Sequence, residues 1–286
     1  MINIIKIFRI HHWVKNIIIL VPFFATHQVV TLNVLQVLFF GILSFSLCAS
    51  AVYIINDLFD VKSDQKDPYK KYRAFASGEI SMQACILLSI FLIVISFFLA
   101  KRFVSLDFLL IVLIYFLLSS LYSAILKKLI LIDCLILSIL YTLRIFAGSA
   151  IIKISPSFWL IIFSIFFFLS LSFIKRFAEV SKKQHSTLRY GYYKSDKIFI
   201  GIVGINAGYI SVLISALYLN SEKVIIFYKN HEWLWIGVII LLFWINWIWL
   251  KVYRNLIDQD PVLFTLKDPV SIITGIILLI AFLFAS

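Results

Sequence analysis

Apolar residues occur along this chain in long runs, each separated from the next by a short polar segment. About 20 apolar residues in a helix, at about 1.5 Å per residue, cross the ~30 Å hydrocarbon core of a bilayer. Runs that reach or approach this length lie near 6–26, 34–56, 80–100, 104–126, 129–152, 156–178, 197–220, 232–253 and 269–286. They are too long for membrane strands and lack strict alternation. The pattern predicts an all-α, polytopic membrane protein with nine transmembrane helices.

The composition agrees with that pattern and excludes a soluble fold. Of the 286 residues, 63% are hydrophobic and 14% are charged, whereas soluble domains are about half apolar and about a quarter charged. The three cysteines (Cys48, Cys85 and Cys134) lie within apolar runs without metal-ligand spacing and are interpreted as small hydrophobic residues. No Pro-rich linker or low-complexity tail divides the chain. Residues 1–286 are therefore predicted to form a single transmembrane domain.

Basic residues are distributed unevenly between the two sides of the predicted spans. There are 26 Lys and Arg against 14 Asp and Glu. The N-terminus and every second loop hold 20 of the basic residues, the opposite side holds five, and Arg144 lies within a span. Cytoplasmic loops are rich in Lys and Arg, so the N-terminus and the loops 57–79 and 175–197 are predicted to be cytoplasmic and the C-terminus outside. No removable signal peptide and no nucleic-acid partner are expected.

Acidic residues, the scarcer charge, gather in the first long loop. Five of the fourteen lie within residues 56–81, and four of these, at 57, 60, 64 and 67, are spaced by 3, 4 and 3. This spacing places them on one face of a helical extension of span two, broken before Pro68. Such carboxylates repel one another unless a cation intervenes, and their oxygens suit Mg²⁺, which also binds phosphate. We expect a Mg²⁺–diphosphate site; the alternative is a solvated loop neutralised by neighbouring lysines.

Four stretches of the chain resemble a known family. NDLFDVKSD at 56–64 resembles the first Asp-rich motif, NDxxDxxxD, of the UbiA superfamily of intramembrane prenyltransferases. Residues 9–24, with WVKN, and 121–151 and 155–183, with KRFAE, resemble the branch containing decaprenyl-phosphate phosphoribosyltransferase (decaprenylphosphoryl-5-phosphoribose synthase). The resemblance implies a single catalytic domain of nine transmembrane helices around a central cavity. It also implies a Mg²⁺-dependent transfer in which diphosphate leaves.

Carried onto this chain, the resemblance assigns the site residues. The implied ligands of Mg²⁺ and diphosphate are Asn56, Asp57, Asp60 and Asp64. The three aspartates are also the implied catalytic residues. Typical prenyltransferases of the superfamily have a second motif, DxxxD, after span six, where this chain has KRFAEV with Lys175, Arg176 and Glu179. Because this stretch has one acid in place of two, together with two cations, a prenyl diphosphate donor is disfavoured. These residues fit the phosphoribosyl branch, whose donor is 5-phosphoribosyl 1-diphosphate and whose acceptor is a polyprenyl phosphate.

The residues after span six are candidates for binding the other groups of that reaction. Lys175 and Arg176 form a candidate phosphate clamp, because guanidinium and ammonium groups bind phosphate directly; the alternative is interfacial anchoring. Glu179 is a candidate ligand for a ribose hydroxyl, a cation or a second Mg²⁺. Its alternative is a surface pair with Lys183.

Arg144 is the one basic residue that topology does not explain. Placing Arg at mid-membrane costs about 2.5–3.5 kcal/mol on insertion scales, so we expect it to bind a phosphate or one of the aspartates. Asp133, at the start of the same span, is expected to pair with Lys127 or Lys128, or to anchor the span. Further candidate contacts to the lipid phosphate or the ribose phosphate are Lys15, Arg73 and Tyr190.

Three functions stay open from sequence alone. We prefer transfer of phosphoribose from 5-phosphoribosyl 1-diphosphate to polyprenyl phosphate, in the cell (inner or plasma) membrane. The second is a UbiA-type prenyltransferase acting on an aromatic or other small acceptor. The third is a lipid transporter without chemistry, which the single mid-span charge disfavours. Membrane lipids are expected partners, and monomer and homo-oligomer are both open.

Overall fold

The computed structural model describes residues 8–26, 29–65, 81–182, 191–221, 224, 228, 230–257 and 260–285. The regular elements of these residues are helices, which confirms the all-α membrane class. The longer helices, numbered in chain order, are α1 Ile10–Ala25, α2 Leu32–Asp64, α3 Met82–Val104, α4 Leu106–Ala124, α5 Ile132–Ile152, α6 Phe158–Lys182, α7 Lys197–Leu219, α8 Trp233–Tyr253 and α9 Pro269–Ala285.

Seven of these helices, α2 to α8, are long and apolar enough to cross a membrane, which makes this a multi-pass membrane protein. The first and last, α1 and α9, are shorter apolar helices. Within the described residues, seven of the nine predicted spans therefore have helices of spanning length. The central cavity stays a prediction.

Polar residues in the sequence set where several helices begin. The side chains of Thr31, Ser81 and Ser105 precede α2, α3 and α4, and each accepts a hydrogen bond from the backbone N–H three residues on. This cap satisfies a donor that the first helical turn leaves unpaired.

Helix α2 continues past its apolar part to Asp64, so the predicted helical extension is confirmed over Asp57, Asp60 and Asp64. The fourth acid of that face, Asp67, lies outside the described residues.

The described residues divide into two compact units. One lies within 1–127 and 143–156, and the other within 128–142 and 157–286, so the division passes through α5. The prediction of a single domain over 1–286 stays a prediction.

In the first unit, small and hydroxyl side chains allow helices to approach closely. Ser44 on α2 and Ser96 on α3 exchange hydrogen bonds, each hydroxyl donating to the other residue's backbone carbonyl at 2.8 Å. Gly148 on α5 lies directly against the backbone carbonyl of Ile19 on α1, where a Cβ would collide. The hydrophobic effect does not drive helices together within a membrane. Close packing and hydrogen bonds of this kind hold them together instead.

The second unit is packed in the same way. Gly204 on α7 faces the indole ring of Trp249 on α8, in space that a Cβ would occupy. The indole N–H of Trp249 donates to Ser170 Oγ on α6 at 3.0 Å. The hydrogen bond to Ser170 joins α8 to α6, the helix that carries Lys175, Arg176 and Glu179.

Candidate functional site

The first group of candidate residues lies in the first unit, on the last turns of α2. The carboxylates of Asp57, Asp60 and Asp64 are buried, with 5%, 7% and 1% of each residue exposed. A buried carboxylate is costly unless a cation and hydrogen bonds compensate its charge. The cations that compensate Asp57 and Asp60 come from distant parts of the chain.

Asp57 is paired with Arg9, the residue that precedes α1. One guanidinium nitrogen, Nη2, donates to Asp57 Oδ1 at 2.5 Å and to Oδ2 at 2.7 Å. The guanidinium carbon also lies 5.4 Å from the ring centroid of Tyr53, one helical turn before Asp57. Arg9 has a left-handed backbone with φ of 49°, which is uncommon for a residue other than Gly. The N-terminal segment therefore supplies the counter-ion of the first motif carboxylate.

Asp60 is paired with Lys127, in the turn Leu126–Lys128 after α4. Lys127 Nζ donates to Asp60 Oδ1 at 2.7 Å and to Asn56 Oδ1 at 3.1 Å. Lys127 is itself buried. The ammonium group therefore binds the two motif oxygens that stand one helical turn apart.

The donor set on α2 fits Mg²⁺ by its chemistry. Three buried carboxylates and the Asn56 carbonyl are hard oxygen ligands of the kind that Mg²⁺ prefers. Two of these carboxylates, with the amide oxygen, are bound by Arg9 and Lys127. Among the described residues, no group of three or more His, Cys, Asp and Glu side chains is arranged to hold a metal ion as it stands. The assignment of Mg²⁺ to this motif stays a prediction.

Arg144 is buried in the first unit among polar and aromatic groups. Its Nε donates to Asn16 Oδ1 at 3.0 Å, and its Nη2 donates to Tyr115 OH at 3.4 Å. Its guanidinium carbon lies 5.3 Å from the centroid of Phe45 and 5.2 Å from that of Tyr115. Asn16 in turn donates to Ser46 Oγ at 2.8 Å. Hydrogen bonds and cation–π contacts thus stabilise this charge within the protein.

The second group lies in the second unit, around the start of α5 and the end of α6. Arg176 Nε donates to Asp133 Oδ2, and Nη1 donates to Glu179 Oε2 at 2.5 Å. The side chains of Arg176 and Asp133 are 1% and 0% exposed, whereas that of Glu179 is 35% exposed. Asp133 therefore pairs with Arg176, and the expected pair with Lys127 or Lys128 is wrong. Helix packing, rather than closeness in sequence, selects the partner of this buried acid.

Tyr192 completes this second group. Its hydroxyl donates to Asp133 Oδ1 at 2.7 Å and accepts a hydrogen bond from the backbone N–H of Leu131 at 2.9 Å. Burial raises the pKa of the Tyr192 phenol, and Cys134 and Asp133 raise it further, so the phenol stays a donor at neutral pH. A continuous chain of hydrogen bonds thus holds Arg176 and, through it, Glu179.

The other predicted site residues have separate positions. Lys15 is buried on α1 in the first unit, next to Asn16. Lys175 is half-buried on α6 in the second unit. Arg73 and Tyr190, as well as Lys183, the alternative partner of Glu179, lie outside the described residues. Their roles stay predictions.

Sequence reasoning missed the residues that hold the two groups. In the sequence, Arg9 is only part of the basic excess, Lys127 is a candidate partner of Asp133 rather than of Asp60, and Tyr192 lies in a polar loop. The available signal is that a buried acid needs a cation or a donor. That rule predicts that partners exist but does not identify them among 26 basic residues.

Comparison with known proteins places the chain among sequence relatives. The model of the UbiA prenyltransferase family matches residues 17–267. The uncharacterized protein y4nM of Sinorhizobium fredii is 33% identical over 97% of this chain and 54% of its own length. Nodulation protein NoeC of Azorhizobium caulinodans is 28% identical over 93% and 87%. Decaprenyl-phosphate phosphoribosyltransferase of Mycobacterium tuberculosis is 30% identical over 62% and 60%. The chain spans about half the length of y4nM.

Solved structures share the fold at low sequence identity. A UbiA homolog from Archaeoglobus fulgidus, bound to GPP and Mg²⁺, has a TM-score of 0.70 at 15% identity, over 98% of this chain and 97% of that one. A digeranylgeranylglyceryl phosphate synthase structure has a TM-score of 0.64 at 19% identity, over 98% and 96%. At such identities the likeness concerns the fold alone.

Proposed function

The chain belongs to the UbiA prenyltransferase family, and we propose that it transfers phosphoribose from 5-phosphoribosyl 1-diphosphate to a polyprenyl phosphate, releasing diphosphate. The similarity to decaprenyl-phosphate phosphoribosyltransferase, 30% identical over 62% of this chain, supports this donor and acceptor. The proposal places the enzyme in the cell membrane with its N-terminus and long loops in the cytoplasm, where water-soluble donors are made.

The observation that carries the choice of donor is the partly exposed carboxylate of Glu179. Buried Arg176 donates to it at 2.5 Å, Asp133 accepts a second hydrogen bond from Arg176, and Tyr192 donates to Asp133. A carboxylate fixed in this way is suited to accept hydrogen bonds from sugar hydroxyls. Ribose has such hydroxyls, whereas the hydrocarbon chain of a prenyl diphosphate has none. We therefore assign Glu179 to the ribose ring.

The motif on α2 is assigned to the diphosphate end of the donor. Its residues Asn56, Asp57, Asp60 and Asp64 would hold Mg²⁺. When bound, this ion supplies charge neutralisation to the departing diphosphate. The cations Arg9 and Lys127, already bound to these oxygens, add positive charge at the same place.

The transfer needs few proton movements. The bond from ribose C1 to the diphosphate oxygen breaks, and diphosphate leaves with the electron pair. An oxygen of the lipid phosphate forms the new bond to C1. No general base is needed, because this phosphate is already ionised near neutral pH. Candidate cations for placing it are Lys15, Arg144 and Lys175, and the ribose 5-phosphate is assigned to Arg73 and Tyr190.

A UbiA-type prenyl transfer to an aromatic or other small acceptor is the second candidate, because the carboxylates of α2 serve a diphosphate of either donor. The two are separated in vesicles that contain the purified chain, Mg²⁺, polyprenyl phosphate and an aromatic acceptor, with one labelled donor at a time. We expect label from the 5-phosphate of the phosphoribosyl donor to enter a polyprenyl lipid, and label from a prenyl diphosphate to stay in the donor. The reverse pattern would favour the second candidate.

A further inference from the structure

The cations that bind the motif carboxylates occupy the oxygens that the proposed function assigns to a metal ion. Arg9 Nη2 contacts both oxygens of Asp57, and Lys127 Nζ contacts Asp60 Oδ1 and Asn56 Oδ1. A dication cannot bind these oxygens in the same direction while the two cations stay in place. A metal ion bound on that side of these oxygens would therefore displace Arg9 and Lys127.

Moving either cation away from its carboxylate is costly without a new partner, because both side chains are largely shielded from solvent. The Arg9 side chain is 15% exposed and that of Lys127 is 6% exposed. Removing the anion from a buried cation is strongly unfavourable, and placing a dication beside it adds repulsion between like charges. A metal ion that arrives alone therefore meets a large opposing cost.

A diphosphate that arrives with the metal removes that cost. Its oxygens carry negative charge and accept charge-assisted hydrogen bonds from guanidinium and ammonium groups. Arg9 and Lys127 can then exchange a carboxylate partner for a phosphate partner, which would leave Asp57 and Asp60 to hold the metal. Each charge keeps a counter-ion at the end of the exchange.

The local structure allows these two side chains to move a short distance. Arg9 lies before the first residue of α1 and has the face of Tyr53 beside it as a second contact. Lys127 lies in the short turn between α4 and α5. Its ammonium group is carried on a flexible four-carbon side chain and already contacts two acceptors. Neither backbone is held within a long helix.

We propose that Arg9 and Lys127 are exchangeable counter-ions of the α2 motif, which makes the binding of Mg²⁺ and of diphosphate mutually dependent. In the metal-free protein they neutralise Asp57 and Asp60. In the loaded protein they contact the diphosphate. This inference rests on the part of the proposed function that assigns Mg²⁺ and diphosphate to α2, and not on the identity of the transferred group.

Equilibrium dialysis of the purified chain with Mn²⁺ as the probe, with and without inorganic diphosphate at matched free Mn²⁺, tests the inference. In the unmodified chain, we expect diphosphate to raise the affinity for Mn²⁺ by roughly tenfold or more. In Arg9→Gln and Lys127→Gln, Mn²⁺ alone should bind more tightly, and the effect of diphosphate should fall to a few-fold. Arg9→Lys should keep most of the effect, as should Lys128→Gln, a change at an exposed neighbour.

Each result has one meaning. Equal affinity for Mn²⁺ with and without diphosphate in the unmodified chain overturns the inference, as does an undiminished effect in folded Arg9→Gln and Lys127→Gln. If both Gln variants fail to fold, the unmodified chain and Arg9→Lys decide. Absence of Mn²⁺ binding under both conditions contradicts the metal assignment itself. Coupled binding without phosphoribosyl transfer supports the counter-ion exchange and contradicts the proposed donor.

Discussion

Arg176 on α6 donates a hydrogen bond from Nε to Asp133 Oδ2 at the start of α5, and both side chains are almost inaccessible to solvent. Removing one partner of a buried ion pair costs about 3–5 kcal/mol, because the remaining charge is left uncompensated. We therefore expect Asp133→Ala to lower the free energy of unfolding by that amount, as measured by denaturant titration in micelles. Asp107→Ala, at an exposed acid in the first turn of α4, should change it by less than about 1 kcal/mol.

Tyr192→Phe removes one hydroxyl from the same group. Asp133 then loses a donor at 2.7 Å and the N–H of Leu131 loses its acceptor at 2.9 Å. An unsatisfied buried polar group costs about 1–3 kcal/mol. The same titration should show a loss in that range, smaller than the loss for Asp133→Ala, and an equal or larger loss would contradict the order of importance within the group.

Glu179→Gln tests the assignment of Glu179 to the ribose. The amide keeps the size of the side chain and can still accept from Arg176, but it is a weaker acceptor for sugar hydroxyls. We expect kcat/KM for 5-phosphoribosyl 1-diphosphate to fall about 10- to 100-fold, which corresponds to about 1.4–2.8 kcal/mol of transition-state stabilisation. Glu232→Gln, at an exposed residue before α8, is the matched control. Equal values of kcat/KM for the two variants would contradict the assignment of Glu179 to the ribose.

Two glycines on apolar helices should respond in opposite ways to alanine. A Cβ at Gly148 would collide with the backbone carbonyl of Ile19 and press on Pro22, so overpacking should destabilise Gly148→Ala by about 1–3 kcal/mol. A Cβ at Gly275 on α9 has nothing within 4 Å among the described residues, so Gly275→Ala should be neutral or stabilising by up to about 1 kcal/mol. Melting temperatures in detergent measure both.

Asp268, just before α9, gives a prediction about pH. Burial alone would raise its pKa, but hydrogen bonds from Trp247 Nε1 and from Ser271, with the charge of Lys251, hold the pKa below the usual value of 3.8. Its stabilising contribution is therefore fully present above pH 3.8 and is lost as the pH falls through the lower folded-state pKa. The difference in melting temperature between the unmodified chain and Asp268→Asn should shrink as the pH falls below 3.8. A constant difference would contradict this prediction.

Local sequence features predicted the parts of the structure that local forces determine. Apolar runs predicted the membrane helices, and the spacing of Asp57, Asp60 and Asp64 predicted that α2 continues through the motif. The partners of these acids depend on packing between distant segments. Asp57 meets Arg9 48 residues away and Asp60 meets Lys127 67 residues away. No local sequence pattern encodes a contact between residues so far apart in the chain. For the same reason the lysines near Asp133 were the wrong prediction, since its partner is Arg176, 43 residues away.

Asp60→Asn is the sharpest single change for the metal assignment. It removes one charge from the α2 motif and weakens the contact to Lys127. We expect Mg²⁺-dependent transfer to fall about 100-fold or more, because a charge-stabilising group is lost where diphosphate departs. Asp107→Asn should retain full transfer. Full Mg²⁺-dependent transfer by Asp60→Asn would show that this carboxylate is not needed for catalysis.

The most direct test of the proposed function is the mass of the lipid product. Purified chain in vesicles is incubated with Mg²⁺, polyprenyl phosphate and 5-phosphoribosyl 1-diphosphate, and the extracted lipid is analysed by mass spectrometry alongside the released diphosphate. We predict that the polyprenyl phosphate gains one phosphoribosyl group for each diphosphate released, only with Mg²⁺ present. An unchanged polyprenyl phosphate, in a preparation that consumes a prenyl diphosphate instead, would contradict phosphoribosyl transfer.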